Sequence, residues 1–230
     1  MKATDLFSHR KILPKAVLFD WDNTLVDSWR RTYDILNKTL DYYRRPSLTE
    51  IQFLQRPQVS LKDSFPEMFG DDWHEAERIY YRLYEELHLK LLLPLPGAEK
   101  LLARLKENNV CMAVVSNKNG NFLRKEVEFL NWRGYFVRVV GSGDVANDKP
   151  SPLPAKLALA SVGVAPSKHV LFVGDSMIDI QCARNSGCSP IIIGGLQPIK
   201  DQSQDLKKFS DCYAFGEYLG LKLRESDSFN

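Results

Sequence analysis

The chain is short of cysteine and histidine and carries no excess charge of either sign. Its 4 Cys, at positions 111, 182, 188 and 212, form no CxxC pair. That excludes a cysteine-based zinc site and a disulfide framework, and the four read as buried or surface thiols without a redox role. The 31 Lys and Arg against 29 Asp and Glu leave a formal net charge of +2, so no global field points to nucleic acid or an anionic membrane. No apolar run approaches the roughly 20 residues that span a bilayer. Residues 1–14 lack the apolar stretch of a secretory signal, and a cytoplasmic location is expected.

What the chain does have is alternation. At 230 residues it suits one main domain with an insert. Apolar runs at residues 16–19, 110–115, 135–140, 169–173, 190–193 and, weakly, 212–215 predict strands. Helical spacing of Leu101, Leu102 and Leu105, of Phe122, Val127 and Leu130, of Leu157, Ala158 and Ser161, and of Ile178, Cys182 and Ala183 predicts helices between them. This order implies an α/β, Rossmann-like parallel sheet with its strand C-termini on one edge, where such folds bind ligands.

Residues 26–94 break the rhythm with helical patterns and almost no strand signal. Two long helices are expected there, at 28–43 and 72–93, with Ser47 or Thr49 as an N-cap between them and Pro94-Leu95-Pro96-Gly97 as a stiff exit. The expected division is a core of residues 1–25 and 95–230 with a helical cap of residues 26–94. The run Tyr80-Tyr81-Arg82-Leu83-Tyr84 suits either the cap's own core or a dimer surface, which leaves monomer and homodimer both open.

Four polar stations sit at the ends of predicted elements, three of them at strand ends and the third just ahead of a predicted helix. At the first, Asp20 can attack an electrophile, Asp22 can handle a leaving-group proton and Thr24 can fix the turn; two such acids need a cation beside them to approach an anion. The second is Ser116-Asn117-Lys118, a hydroxyl and backbone N–H groups suited to a phosphate, or an ordinary helix cap. In the third, Asp148-Lys149-Pro150-Ser151-Pro152, a lysine ahead of two prolines can neutralise both Asp20 and a phosphoryl oxygen, unless it is simply a solvated loop lysine. The fourth, Gly174-Asp175-Ser176-Met177-Ile178-Asp179, puts two more acids at a helix start, where they can also act as dipole-stabilising caps. Each station is weak alone; their order at the ends of successive elements of one parallel sheet lets them converge on Asp20.

In that order the chain resembles the haloacid dehalogenase superfamily, specifically its phosphoglycolate phosphatase-like branch. The motifs that carry the resemblance are Phe19-Asp20-Trp21-Asp22-Asn23-Thr24-Leu25-Val26-Asp27-Ser28, Val115-Ser116-Asn117-Lys118, Lys149-Pro150, and Gly174-Asp175-Ser176-Met177-Ile178-Asp179. The resemblance implies Mg²⁺ held by Asp20, the backbone carbonyl of Asp22 and Asp175, with Asp179 in support or through water. It implies Asp20 as nucleophile, Asp22 as acid and base, and Ser116 and Lys149 holding the phosphoryl group. Asn117, Thr24 and, in the cap, Arg56 are candidate substrate contacts, with Lys62 and Arg45 as further cap cations.

The expected partner is a small phosphorylated metabolite. Asp22 argues against a dehalogenase, which has no alkoxide to protonate. A sugar phosphomutase uses the same aspartate pair and stays open, as does a catalytically idle binding module. The histidines at 9, 74, 88 and 169 match no motif position and are assigned no chemistry.

Overall fold

A computed structural model describes residues 13–56, 59–90, 92–195, 199–201 and 203–223. His9 lies outside the described residues. The main sheet has six parallel strands in the order β5-β4-β1-β6-β7-β8. These are β1 (Ala16–Phe19), β4 (Cys111–Asn119), β5 (Arg138–Ser142), β6 (Val170–Gly174), β7 (Ser189–Ile193) and β8 (Lys207–Phe209). β1 lies between β4 and β6. It is buried along its whole length, which is why it reads as a continuous apolar run rather than an alternating one.

The pleat sends alternate residues of β1 to opposite faces. Val17 and Phe19 join Leu101, Leu102, Leu123 and Phe215 in one core, under α5 (Ala98–Glu107), α6 (Gly120–Phe129) and α9 (Cys212–Tyr218). Ala16 and Leu18 join Ala155, Ala158, Cys182 and Ala183 in the other, under α7 (Leu153–Ala160) and α8 (Met177–Ser186). Each fully buried Leu or Phe contributes roughly 1.5–3 kcal/mol of transfer free energy to this three-layer stack.

Between β1 and α5 the chain leaves the sheet through β2 (Val26–Asp27) and returns through β3 (Leu93–Pro94), which pair antiparallel. This short ribbon is the neck of the insert, and Leu95 N donating to Leu25 O at 2.9 Å extends it. Within the insert lie α1 (Trp29–Tyr42), α2 (Glu50–Leu54), α3 (Leu61–Phe69) and α4 (Trp73–Leu87). They bury a core of their own around Ile35, Leu36, Leu40, Phe65, Phe69, Tyr80 and Tyr84. Tyr80 and Tyr84 are buried in this core, and Tyr81 and Tyr84 also pack on Phe122 of α6, with ring centroids 5.3 Å and 5.0 Å away. Thr49 caps α2 through a reciprocal capping box with Gln52.

Three expectations are corrected. Residues 212–215 are not a strand but open α9, with the Asp211 carboxylate accepting from Ala214 N at 2.8 Å; the sixth strand is β8, upstream. β5 starts only at Arg138, because residues Arg133–Tyr135 form a 3₁₀ turn. The second long helix of the insert stops at Leu87, and Leu93 and Pro94 enter the neck. No helix among the described residues is long and apolar enough to cross a membrane.

Candidate active site

The C-terminal ends of β1, β4 and β6 place the first, second and fourth stations side by side, and the loop after β5 brings in Lys149. Asp20 directly follows β1 and is almost fully buried. Its Oδ1 accepts from Lys149 Nζ at 2.5 Å, and the same ammonium donates to Asp179 Oδ1 at 2.7 Å. Asp175 joins them, so that Asp20, Asp175 and Asp179 each offer an oxygen within 4.8 Å of the others, all three buried. Asp175 precedes α8 rather than lying on it. Asp179 reaches back instead, its Oδ2 accepting from Asp175 N at 3.2 Å, Ser176 N at 3.1 Å and Ser176 Oγ at 2.6 Å.

Burial raises the Asp20 carboxyl to about 7; Lys149 opposes this shift, while Asp179 and Asp22 add to it. Burial alone would lower Lys149, but Asp179 and Asp20 more than offset it and hold the ammonium above its ordinary range. An uncompensated cluster of this kind is expensive, and a further cation among three carboxylates relieves it. The donor set is all oxygen, which fits a hard divalent ion that retains several waters.

Thr24 donates to Asp20 Oδ2 at the long distance of 3.5 Å. Ser116 Oγ accepts from Lys118 N at 3.2 Å, which leaves its hydroxyl hydrogen for an anion. Both ends of the Asn117 amide grip the peptide of Lys149: Nδ2 donates to Lys149 O at 3.0 Å, and Oδ1 accepts from Lys149 N at 2.9 Å. Asn117 thus fixes the loop that carries the lysine.

Asp22, Ser116, Lys149 and Asp20 all open on one cavity of about 200 Å³, whose opposite wall comes from the insert: Trp29, Phe53, Arg56, Tyr81 and Tyr84. Arg56 donates to Met68 Sδ at 2.6 Å, and burial lowers its pKa. Of the other cap cations, Lys62 pairs with Asp148 at 3.0 Å and so ties the insert to the core. Arg45 binds the carbonyls of Met68 and Phe69.

One group was missed by sequence reasoning. Asp22 Oδ1 accepts from Lys118 Nζ at 2.6 Å, and Lys118 also donates to Glu126 Oε2 at 2.8 Å. Glu126 is fully buried and accepts further from Trp21 Nε1 and Tyr84 Oη, both at 2.7 Å, and from Arg31 Nη2 at 3.4 Å. The His88 ring lies 3.4 Å away. Burial opposes the charge on Glu126, yet Lys118, His88 and Arg31 outweigh it and hold the carboxyl well below the usual range. The available signal was the phase of α6, where Glu126 falls on the inward stripe with Leu123 and Val127.

A profile of the haloacid dehalogenase-like hydrolase family matches residues 17–193, a span that includes every one of these site residues. The chain belongs to that family. A phosphoglycolate phosphatase of Aquifex aeolicus is 31% identical over 179 residues, covering 75% of this chain and 81% of its relative. Among solved structures, a haloacid dehalogenase-superfamily hydrolase from Ehrlichia chaffeensis is 34% identical with a TM-score of 0.62, covering 90% of this chain and 97% of that one. CbbY from Rhodobacter sphaeroides, solved with phosphate, shares the fold at 18% identity and a TM-score of 0.77, over 91% and 100% of the two chains.

Proposed function

We propose that the protein is a Mg²⁺-dependent phosphatase that hydrolyses a small phosphate monoester through a phosphoaspartyl intermediate on Asp20. The observation that carries this reading is the buried Asp20–Lys149–Asp179 cluster with Asp175, opening on the same cavity as Asp22 and Ser116. Asp20 Oδ attacks phosphorus, and the bond from phosphorus to the ester oxygen breaks. Asp22 gives a proton to the departing oxygen. Asp22 then takes a proton from the water that attacks phosphorus, which releases inorganic phosphate and restores Asp20. Ser116 and Lys149 hold the phosphoryl oxygens through both steps. Mg²⁺ would be held by Asp20, Asp175 and the Asp22 backbone carbonyl, with Asp179 in support, and when bound it neutralises charge between nucleophile and phosphate.

In this reading residues 26–94 form a cap over a core of residues 1–25 and 95–230, joined through the ribbon of β2 and β3. Arg56 and the aromatic wall meet the leaving group, and closure excludes water from the intermediate. Phosphoglycolate is the first ester to test, because the Aquifex relative bears that name. The experiment is phosphate release from a panel of monoesters with Mg²⁺ or EDTA, with Asp20→Asn as the blank. Release that needs the metal and vanishes in the variant is expected. No release from any ester overturns the proposal, and label passing to a sugar hydroxyl instead of water replaces it with a phosphomutase.

A further inference from the structure

Glu126 is one carboxylate shared by two units of the fold. Its Oε2 faces the core, accepting from Trp21 Nε1 at 2.7 Å and Lys118 Nζ at 2.8 Å. Its Oε1 faces the insert, accepting from Tyr84 Oη of α4 at 2.7 Å and Arg31 Nη2 of α1 at 3.4 Å. Arg31 is fastened in turn to the His88 carbonyl at 2.6 Å. The side chains of Glu126, Arg31 and Lys118 are 0%, 3% and 7% exposed, so water does not substitute for a missing partner. The far end of this chain of contacts is the Lys118–Asp22 pair at 2.6 Å.

We infer that Lys118 and Glu126 are positioning residues for Asp22, and that they aim it only while the insert is seated on the core. The inference rests on the phosphatase reading of Asp22 given above. Lys118 holds Oδ1 of Asp22, which leaves Oδ2 as the oxygen that meets the departing group. Lys118 also serves Glu126, and a buried carboxylate competes for any cation in reach. With Arg31 and Tyr84 in place, the charge of Glu126 is shared and Lys118 remains on Asp22. With the insert withdrawn, Glu126 keeps only Trp21 and Lys118 of these donors and draws the ammonium toward itself. Tyr84, Lys118 and Asp22 line the same cavity, so whatever seats the insert over a substrate also sets the acid.

The test exploits the leaving group. An alkyl alkoxide needs a proton to depart and p-nitrophenolate does not, and kcat/KM covers only the steps through that departure. Glu126→Gln is expected to lower kcat/KM for an alkyl phosphate about tenfold or more, while p-nitrophenyl phosphate changes by less than about threefold. Lys118→Met should show the same split, Lys118→Arg should largely restore the alkyl ester, and Tyr84→Phe should show the split more weakly.

Asp22→Asn is the reference and should show the split most strongly. Equal losses for both esters in Glu126→Gln and Lys118→Met would make the network a structural staple and overturn the inference alone. No split in Asp22→Asn, in an enzyme that still hydrolyses both esters, removes the acid role and the inference with it. Should Glu126→Gln fail to fold, Lys118→Met and Tyr84→Phe carry the same comparison.

Discussion

Gly174→Ala is expected to unfasten the cluster without replacing any charged residue. Gly174 ends β6, and a Cβ built on it would lie 2.3 Å from Asp179 Cγ and 2.4 Å from Asp179 Cβ and Oδ2. These distances are far inside contact, and the obstructing carboxylate is not a swinging tip. Four donors pin it: Asp175 N, Ser176 N, Ser176 Oγ and Lys149 Nζ. Losing two of those bonds, at about 1.5 kcal/mol each for a charged acceptor, gives about 3 kcal/mol, and overpacking adds about 1–3 kcal/mol. At about 2–4 °C per kcal/mol for a chain of this size, the melting temperature should fall by roughly 10 °C or more.

The measurement is thermal unfolding followed by circular dichroism. Gly134→Ala is the control: its Cβ would meet nothing closer than Lys106 Nζ at 3.6 Å, so it should be neutral or raise stability by about 0.4–1 kcal/mol through the unfolded chain. In the phosphate-release assay Gly174→Ala should also lose most activity, because Asp179 is displaced and Lys149 loses one of the two carboxylates that hold its ammonium. A Gly174→Ala protein that melts and turns over like the parent would refute the packing argument.

The thiols should be selective toward alkylation. Burial pushes Cys182 and Cys212 up to about 12, so at pH 8 only about one molecule in 10⁴ carries either thiolate; mass spectrometry after iodoacetamide should find Cys111, the only one of the four that is not buried, modified first. Glu126 should contribute to the acid limb of stability. Its folded pKa lies below its unfolded value, so its contribution is complete above about pH 4.3 and is lost as pH falls below it toward the folded value. Glu126→Gln should therefore flatten the fall in stability below that pH, and an unchanged acid limb would show that the network leaves the carboxyl unperturbed. Arg56→Ala should change the ranking of esters in the monoester panel more than the rate on the smallest of them; an unchanged ranking removes Arg56 as a specificity residue.

The fold was legible wherever a strand is buried on both faces, since β1, β6 and most of β7 are runs that only a covered parallel sheet can hold. Legibility failed at the edge. β8, Lys207-Lys208-Phe209, is partly exposed along its length and offers no apolar run, so the pattern slid onto residues 212–215. Four apolar residues cannot by themselves separate a strand from a first helical turn. There the deciding signal was Asp211, a capping residue whose carboxylate closes the turn.

The site divides along the same line between local and distant information. Asp20 and Asp175 could be read because each directly follows a strand, Ser116 because it lies near the C-terminal end of β4, and Lys149 because its motif fixes the loop after β5; a parallel sheet puts all these ends on one edge. Glu126 could not be read that way, because its partners stand 8 to 105 positions away and meet only when the insert folds back over the core. A carboxylate on the inward stripe of α6 still carried a warning, since a buried acid without a partner is not tolerated. The donors that answer it come from Trp21, within the first motif, and from Arg31 and Tyr84, within the insert. Glu126 is thus buried where α6 meets α1 and α4, bonded to Trp21 and Lys118 on one side and to Arg31 and Tyr84 on the other.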